Sequence, residues 1–223
     1  MNTYNFEKKF VDLPKEIPLF PLNNILLLPR SRLPLNLFEN RYLHMFDHAL
    51  KADRMIGMIQ PRESAKNSSK KPDLYDVGCA GLIVAFSQTN DNRYEIVLKG
   101  VSRFKVIKEK ELFNGFRRAK IKFDSFKKDL AAESLSSSND RANFEKKVKT
   151  YLEKQNVNAD WQAIEASSDE DLVNSISMGC PFSNIEKQAL MEAKNISERF
   201  KVLSSLLDMS INDSESYQSS SIS

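Results

Sequence analysis

Cysteine is scarce in this chain of 223 residues, which contains only Cys79 and Cys180. The two cysteines are far apart and have no CxxC spacing, so no disulfide framework is expected and a reducing cytoplasm is the natural compartment. Long apolar runs are also missing: none approaches the ~18 residues of a membrane helix, and the N-terminus "MNTYNFEKKF" has no signal-peptide core. The net charge of +3 is too small to indicate nucleic-acid binding by itself.

Catalytic motifs are absent as well. The sequence contains no GxxxxGK(S/T) phosphate loop, no HExxH zinc motif and no GxSxG nucleophile motif. Its only histidines, His44 and His48, are spaced i, i+4 among charged residues, and we interpret them as surface residues instead of metal ligands. Cys79 lies in an apolar run and is interpreted as a buried, unreactive thiol. We therefore expect no enzymatic activity, no metal and no cofactor.

The first half of the chain is predicted to be mostly β. Its short apolar runs, several bounded by proline or asparagine, are typical of strands in a compact barrel. Proline cannot donate a ladder hydrogen bond, so the prolines are expected at strand ends or edges. Leu33, Leu35 and Leu37 alternate and share one strand face. The other predicted strands lie in "IPLFPL", "NNILLLP", "RMIGMIQP", "VGCAGLIVAFSQT", "RYEIVLKGVS", "RFKVIKE" and "FRRAKIKFDSF".

One short helix, over residues 40–52, is predicted to interrupt these strands. Its apolar residues recur at helical spacing: Leu43, Phe46 and Leu50. Asn40 is the predicted N-cap, because its side chain can accept a hydrogen bond from the first turn. A hydrogen-bonded pair of Glu39 and Arg41 is expected to set the angle between this helix and the barrel, which is a structural role and not a binding one.

Basic residues concentrate between residues 105 and 128, where nine Lys or Arg are opposed by three acidic residues. One interpretation is a surface that binds RNA phosphates. The other, which we favour, is a solvated strand face whose lysines prevent edge aggregation. In this strand Arg118, Lys120 and Lys122 alternate with Ala119, Ile121 and Phe123. The candidate nucleic-acid residues are Lys105, Arg118, Lys120 and Lys122. The aromatic residues interleaved with them, which base stacking would need, are Phe104, Phe116 and an inward-facing Phe123.

The chain after a Ser-rich linker at 127–140 is predicted to be helical. Ser183 with Glu186 forms a predicted capping box, and Asn195 with Glu198 forms another. The apolar stripes of these helices are Phe144, Val148, Tyr151 and Leu152; Leu172, Val173 and Ile176; and Ile196, Phe200, Leu203 and Leu207. The predicted organisation is a loosely held N-terminal arm at 1–15, a β subdomain at 16–126, the linker, a helical subdomain at 141–210, and a tail at 211–223 that is disordered by composition.

Several motifs, in order and spacing, resemble the N-terminal domain of the ATP-dependent Lon protease family. They are "IPLFPLNNILLLPRSRLPLNLFENRY", "IGMIQP", "LYDVGCAGLI", "RYEIVLKGVSRFKV" and the C-terminal "DEDLVNSISMGCPFSNIEKQALMEAKNISERFKVLSSLL". The resemblance covers roughly residues 16–210, which would form one such domain. The chain departs from the family at Asn40, where the family's "FEPRY" has proline.

The resemblance implies an α+β fold, in which a PUA-like, partly open β-barrel is followed by a helical bundle. It also implies a stand-alone, non-catalytic module that binds unfolded or damaged polypeptides, with an adaptor role in protein quality control. The alternative is an RNA-binding PUA-like protein. A full-length Lon protease and a second copy of the chain are further candidate partners, whereas no membrane partner is expected.

Polypeptide binding is expected to use apolar side chains at the rim of the barrel. The apolar residues near the prolines at 17–38 exceed what a barrel of this size obviously needs. Leu22, Ile25 and Leu27 flank or follow "NN" in a proline-bounded segment, where a short loop can leave apolar groups partly uncovered. These three residues are the predicted binding residues.

Overall fold

The structure, a computed structural model, describes the backbone of residues 9–62, 72–91, 93–135 and 139–220, and the side chains of these ranges except 139–140 and 213–220. The chain divides into two compact units, Met1–Ala131 and Ala132–Ser223. The first contains strands β1 (Glu16–Pro21), β2 (Arg32–Leu37), β3 (Met55–Ile59), β4 (Val77–Gln88), β5 (Tyr94–Glu109) and β6 (Arg117–Lys122), helix α1 (Asn40–Leu50), and 3-10 helices Phe10–Asp12 and Asp124–Leu130. The second contains α2 (Asn139–Lys154), α3 (Trp161–Ala166), α4 (Asp169–Gly179), α5 (Asn184–Glu192) and α6 (Ile196–Ser220).

The strands of the first unit form one mixed sheet that curls into a partly closed ring. Its order is β2-β5-β4-β3-β1-β6, and β6 also pairs with β5, which closes the ring. The 16-residue β5 pairs with β2 along its first half and with β6 along its second half. The pair β1–β3 is parallel, and the other pairs are antiparallel. The predicted fold class, a partly open barrel followed by helices, is confirmed.

The loop between β1 and β2 corrects the predicted strand "NNILLLP". Asn24 and Arg30 have φ of 58° and 66°, in the left-handed region that a strand cannot use. The loop instead buries three leucines in the core: Leu26, Leu27 and Leu28. It also passes so close to β5 that a Cβ on Gly100 would lie 2.0 Å from the Leu28 carbonyl oxygen, so only glycine fits there.

Both ends of the first unit are more ordered than the sequence suggested. The predicted loose arm at 1–15 is wrong in its second half, because Leu13 is buried and Phe10 packs against the same apolar cluster; residues 1–8 lie outside the described ranges. The predicted linker at 127–140 begins inside the 3-10 helix Asp124–Leu130. Residues 136–138 are also outside the described ranges.

The 3-10 helix at 124–130 is attached to β5 by a buried ion pair. Arg103 and Asp129 are 2% and 4% exposed, and the guanidinium donates to the carboxylate at 2.7 and 2.9 Å. The Arg103 backbone N–H donates to the same carboxylate at 2.8 Å. The Arg30 guanidinium donates to the Asp129 carbonyl. Water does not reach these buried bonds, so the pair holds the 3-10 helix at 124–130 firmly against β5. The chain leaves the ring through this helix.

The second unit follows its predicted apolar stripes. The stripe residues of α2 and α4 are buried, as are three of the four in α6, whereas Phe200 is partly exposed. Ser183 and Glu186 form the predicted capping box of α5. The predicted disordered tail is wrong up to residue 220, because α6 runs from Ile196 to Ser220. A helix whose first turns are packed can extend through serine-rich sequence, since propagation costs less than nucleation.

Substitution of Asp129 tests the buried pair. Asp129→Ala leaves the Arg103 guanidinium buried without its carboxylate, and we expect the free energy of unfolding to fall by about 3–5 kcal/mol, measured by urea unfolding. Asp124→Ala, an exposed position in the same 3-10 helix, is the control and should change it little. Equal effects of the two substitutions would contradict the role of the pair.

Candidate functional site

The predicted rim residues do not form one exposed surface. Leu27 is fully buried in the core, so the predicted exposure of this residue is wrong. Leu22 and Ile25 are partly buried. Tertiary packing over the loop, which is invisible in the local pattern, separates Leu27 from the other two. A binding role for Leu22 and Ile25 stays a prediction.

The junction before α1 contains the expected ion pair but not the expected cap. Arg41 donates from Nε to the Glu39 carboxylate at 2.9 Å, with a second nitrogen at 2.8 Å. The Arg41 guanidinium also lies 4.5 Å from the ring centroid of Tyr42. Asn40 is not the N-cap: the helix begins at Asn40, and Glu39 occupies the capping position without a side-chain cap.

The predicted basic face is only partly free of ion pairs. Lys105, Lys120 and Lys122 are exposed on β5 and β6. Arg118 is partly buried; its guanidinium lies 3.4 Å from the Glu16 carboxylate and 4.7 Å from the ring centroid of Phe113. The predicted alternation of β6 is correct, since Arg118, Lys120 and Lys122 lie on the face opposite the buried Ala119 and Ile121, whereas Arg117 lies on the buried face.

The three aromatic residues that the sequence placed among the basic residues are in the core. Phe104, Phe116 and Phe123 are 0%, 1% and 6% exposed. A nucleobase therefore cannot stack on any of the three, although stacking on aromatic side chains is the usual means of recognising single-stranded RNA. Phe113 is 39% exposed in the same stretch, but the Arg118 guanidinium lies over its ring.

A largely apolar groove of about 600 Å³ lies between the N-terminal segment and the β5–β6 pair. Val11 and Ile107 are 85% and 51% exposed, which is unusual for branched apolar side chains. The β-bulge between Val106 and Lys108 places Ile107 on this surface. The lining residues, called the groove below, are Phe10, Val11, Leu13, Pro14, Lys15, Ile107, Lys120, Ile121, Lys122, Phe123 and Asp124.

Sequence reasoning missed this groove. The one indication in the sequence is that Phe10, Val11 and Leu13 are apolar, although they lie in a segment predicted to be a loosely held arm. Ile107 lies about a hundred residues away in sequence, and no local pattern could bring it beside Val11. The alternation of apolar and polar residues in β5 likewise does not predict a β-bulge.

A second apolar surface lies at the other end of β5, where β2, β4 and β5 extend beyond the ring. Phe38 and Phe86 are 62% and 50% exposed. The Phe86 ring packs at its edge against the buried Phe46, with centroids 5.3 Å apart. An open groove of about 610 Å³ crosses these strands, and Phe86 is among the residues that line it. We call this surface the aromatic end.

The two histidines contact the β5–β6 connection. His44 is exposed, with Nδ1 3.3 Å from the Asn114 carbonyl oxygen. His48 is partly buried, with its ring centroid 5.4 Å from those of both Phe113 and Phe116. In the described ranges, no group of three or more His, Cys, Asp or Glu side chains could hold a metal ion. These contacts show that both histidines pack against the connection between β5 and β6.

The buried thiols are not poised for nucleophilic chemistry. Cys79 and Cys180 are 0% and 4% exposed. Burial raises the pKa of Cys180 to about 11, and burial likewise raises the pKa of the neighbouring Tyr151 to about 12. Thiolate is therefore scarce at Cys180 at neutral pH.

Comparison with known proteins identifies the family. The model of the ATP-dependent protease La (Lon) substrate-binding domain matches residues 16–209. The chain belongs to this family. It is 25% identical over 218 residues to the Lon protease of Syntrophus aciditrophicus (strain SB), covering 93% of this chain and 27% of that protein. It is 24% identical over 200 residues to Lon protease 2 of Myxococcus xanthus, covering 88% of this chain and 24% of that protein.

Two solved structures share the Lon N-terminal fold. A Lon N-terminal domain protein from Xanthomonas campestris is 19% identical, with a TM-score of 0.58 over 84% of this chain and 96% of its own. The N-terminal domain of a Mycobacterium avium complex Lon protease is 14% identical, with a TM-score of 0.61 over 87% and 98%. The chain spans about a quarter of the length of the first two Lon proteases. No helix in the ranges described is long and apolar enough to cross a membrane.

The Glu39–Arg41 pair generates the first prediction for this site. Arg41→Ala should lower the free energy of unfolding by at most about 1 kcal/mol, because both side chains are roughly half exposed and water screens the pair. Polypeptide binding, measured per folded molecule, should not change. A stable variant that has lost binding would instead place Arg41 in the binding site.

The free energy of unfolding should depend on pH through His48. Burial and the nearby Arg118 lower its pKa below 6.5, while Glu16 opposes them. As the pH falls through about 6.5, the unfolded chain takes up a proton before the folded chain does, so the free energy of unfolding decreases until the folded-state pKa is reached. His48→Phe should remove this part of the pH dependence in urea unfolding between pH 7.5 and 5, whereas His44→Gln should retain it. An unchanged slope in His48→Phe would refute the assignment.

Proposed function

We propose that this chain binds exposed apolar segments of unfolded or damaged polypeptides in the groove. The observation that carries the proposal is a concave apolar surface with Val11 and Ile107 largely exposed. Contiguous exposed apolar surfaces on proteins commonly mark interaction sites. The family's description as a substrate-binding domain supports the same class of function.

The groove favours weak binding to many segments. Covering an apolar side chain such as Val11 or Ile107 contributes roughly 1.5–3 kcal/mol, and association costs offset much of that gain. Several segments of one unfolded chain, or several copies of this protein, would raise the overall affinity by avidity. Such binding suits a module that has to sample many unfolded chains.

The wider role that we propose is non-catalytic and cytoplasmic. Its support is the absence of the phosphate-loop and nucleophile motifs from the sequence and the match to the model of the Lon substrate-binding domain. In this role the chain presents bound polypeptide to a full-length Lon protease as an adaptor. Co-purification of the two proteins from a native lysate, lost when the groove is altered, is the expected result.

RNA binding is the second candidate, and the lysines of β5 and β6 are what favours it. The burial of Phe104, Phe116 and Phe123 weakens it, because contacts to the phosphate backbone would have to carry most of the affinity. Such binding would weaken steeply with salt.

Serine substitutions in the groove test the proposed function. We expect Ile107→Ser and Val11→Ser each to weaken binding of a denatured, fluorescently labelled model protein at least about fivefold, because each removes covered apolar area. Fluorescence anisotropy at low and high salt is the measurement, with circular dichroism to verify folding. Phe86→Ser at the aromatic end is the matched control and should bind normally, whereas Leu22→Ser tests the rim that the sequence predicted as a binding surface.

The alternative outcomes have distinct meanings. Loss of binding only in Phe86→Ser or Leu22→Ser would move the site to the aromatic end or to the rim. Binding that survives all four substitutions but disappears at high salt would favour the basic face. No binding to any denatured protein would refute the proposed function.

A further inference from the structure

We propose that the groove selects polypeptide segments in which acidic residues flank apolar ones. The inference rests on the proposed function and specifies the class of segment that the same site takes. It depends on four lysines that surround the groove's exposed isoleucine, called the lysine border below: Lys105, Lys108, Lys120 and Lys122.

The lysine border consists of like charges paired across two strands. Lys105 lies opposite Lys122, and Lys108 lies opposite Lys120, in the antiparallel register of β5 and β6. Side chains directly opposite in such a pair have Cβ atoms about 4.5–5.5 Å apart, and like charges at that separation destabilise the sheet. All four side chains are exposed. The protein therefore carries a concentrated positive charge that it does not need for folding.

The nearby carboxylates are engaged elsewhere. Glu16 forms ion pairs with Lys110 and Arg118. Glu109 accepts two hydrogen bonds from the Arg117 guanidinium, at 2.6 and 2.8 Å. None of the ion pairs between side chains that the structure describes involves the lysine border. A ligand that supplies carboxylates would relieve the repulsion.

The charges and the apolar surface belong to one site. Lys120 and Lys122 line the groove, and Ile107 lies between Lys105 and Lys108 in the chain. A segment that places an apolar side chain against Ile107 brings its neighbouring residues beside the ammonium groups. Asp124 is the single acidic residue in the lining, and its carboxylate is 4.0 Å from the Lys127 ammonium. Acidic neighbours are therefore favoured and basic neighbours disfavoured.

Nucleic acid complements the charged part of this surface but not its apolar part. Phosphates would complement the lysine border, but the apolar walls formed by Val11 and Ile107 offer nothing to a sugar–phosphate backbone, and the rings of Phe104, Phe116 and Phe123 are buried. An acidic and apolar polypeptide segment complements both halves. Single-stranded RNA is accordingly one outcome of the test.

Three labelled peptides of equal length and identical apolar residues test the selectivity, with aspartate, serine or lysine at the flanking positions. At about 0.01 M salt, where charges act over ~30 Å, we expect the aspartate peptide to bind at least about fivefold tighter than the serine peptide and the lysine peptide to bind weakest. At about 1 M salt the three affinities should converge, because the range shrinks to ~3 Å. Single-stranded RNA is titrated alongside.

Charge reversal identifies the residues. Lys120→Glu with Lys122→Glu should invert the preference, so that the lysine peptide binds tighter than the aspartate peptide. The matched control reverses two exposed lysines elsewhere, Lys51→Glu with Lys146→Glu, and has the same net charge. It should keep the wild-type order. An inversion in both variants, or in neither, would overturn the inference.

The outcomes separate this inference from the function on which it rests. Equal binding of the three peptides to wild-type protein would overturn the acidic preference and leave apolar polypeptide binding intact. Absence of binding to all three would refute the proposed function as well. RNA that binds tighter than the aspartate peptide, and is lost on reversal of Lys120 and Lys122, would assign the lysine border to nucleic acid instead.

Discussion

Strand β5 forms hydrogen-bonded pairs with three neighbouring strands, and the rest of the first unit depends on that constraint. It pairs with β4 at residues 94–105, with β2 at 94–99 and with β6 at 105–109. Between the last two lies a gap in which backbone groups need other partners. The Ser31 carbonyl accepts from Gly100 N–H at 2.9 Å, and the Asp129 carboxylate accepts from Arg103 N–H at 2.8 Å. Because an unpaired buried N–H is costly, the loop before β2 and the 3-10 helix at 124–130 are held against this gap.

Closure of the ring at β5 and β6 also creates the groove. The pairing brings the lysines of the two strands together, and the bulge after Val106 leaves Ile107 exposed beside them. Phe10 and Leu13 join the core that Ile121 and Phe123 form, so that the N-terminal segment becomes the other wall. The same closure that completes the fold thus leaves an apolar and cationic surface uncovered.

The fold alone does not determine what the chain binds. Two solved Lon N-terminal domains share its architecture at 14% and 19% identity, so most aligned residues differ. Function in such a fold depends on the particular surface that the side chains build. In this chain that surface combines exposed Val11 and Ile107 with the lysine border. The combination distinguishes an apolar and acidic ligand from a purely apolar one.

Local patterns in the sequence predicted the features that lie within a single strand or helix. The alternation of Ala119 and Ile121 with Lys120 predicted the inner and outer faces of β6, and the Ser183–Glu186 spacing predicted the cap of α5, because both depend on neighbours a few residues away. The resemblance to Lon supplied the barrel that periodicity could not. Only the tertiary structure decided that Leu27 is buried and that Ile107, about a hundred residues from Val11, shares a groove with it. Exposure depends on which distant segments cover a side chain, and ring closure sets that coverage.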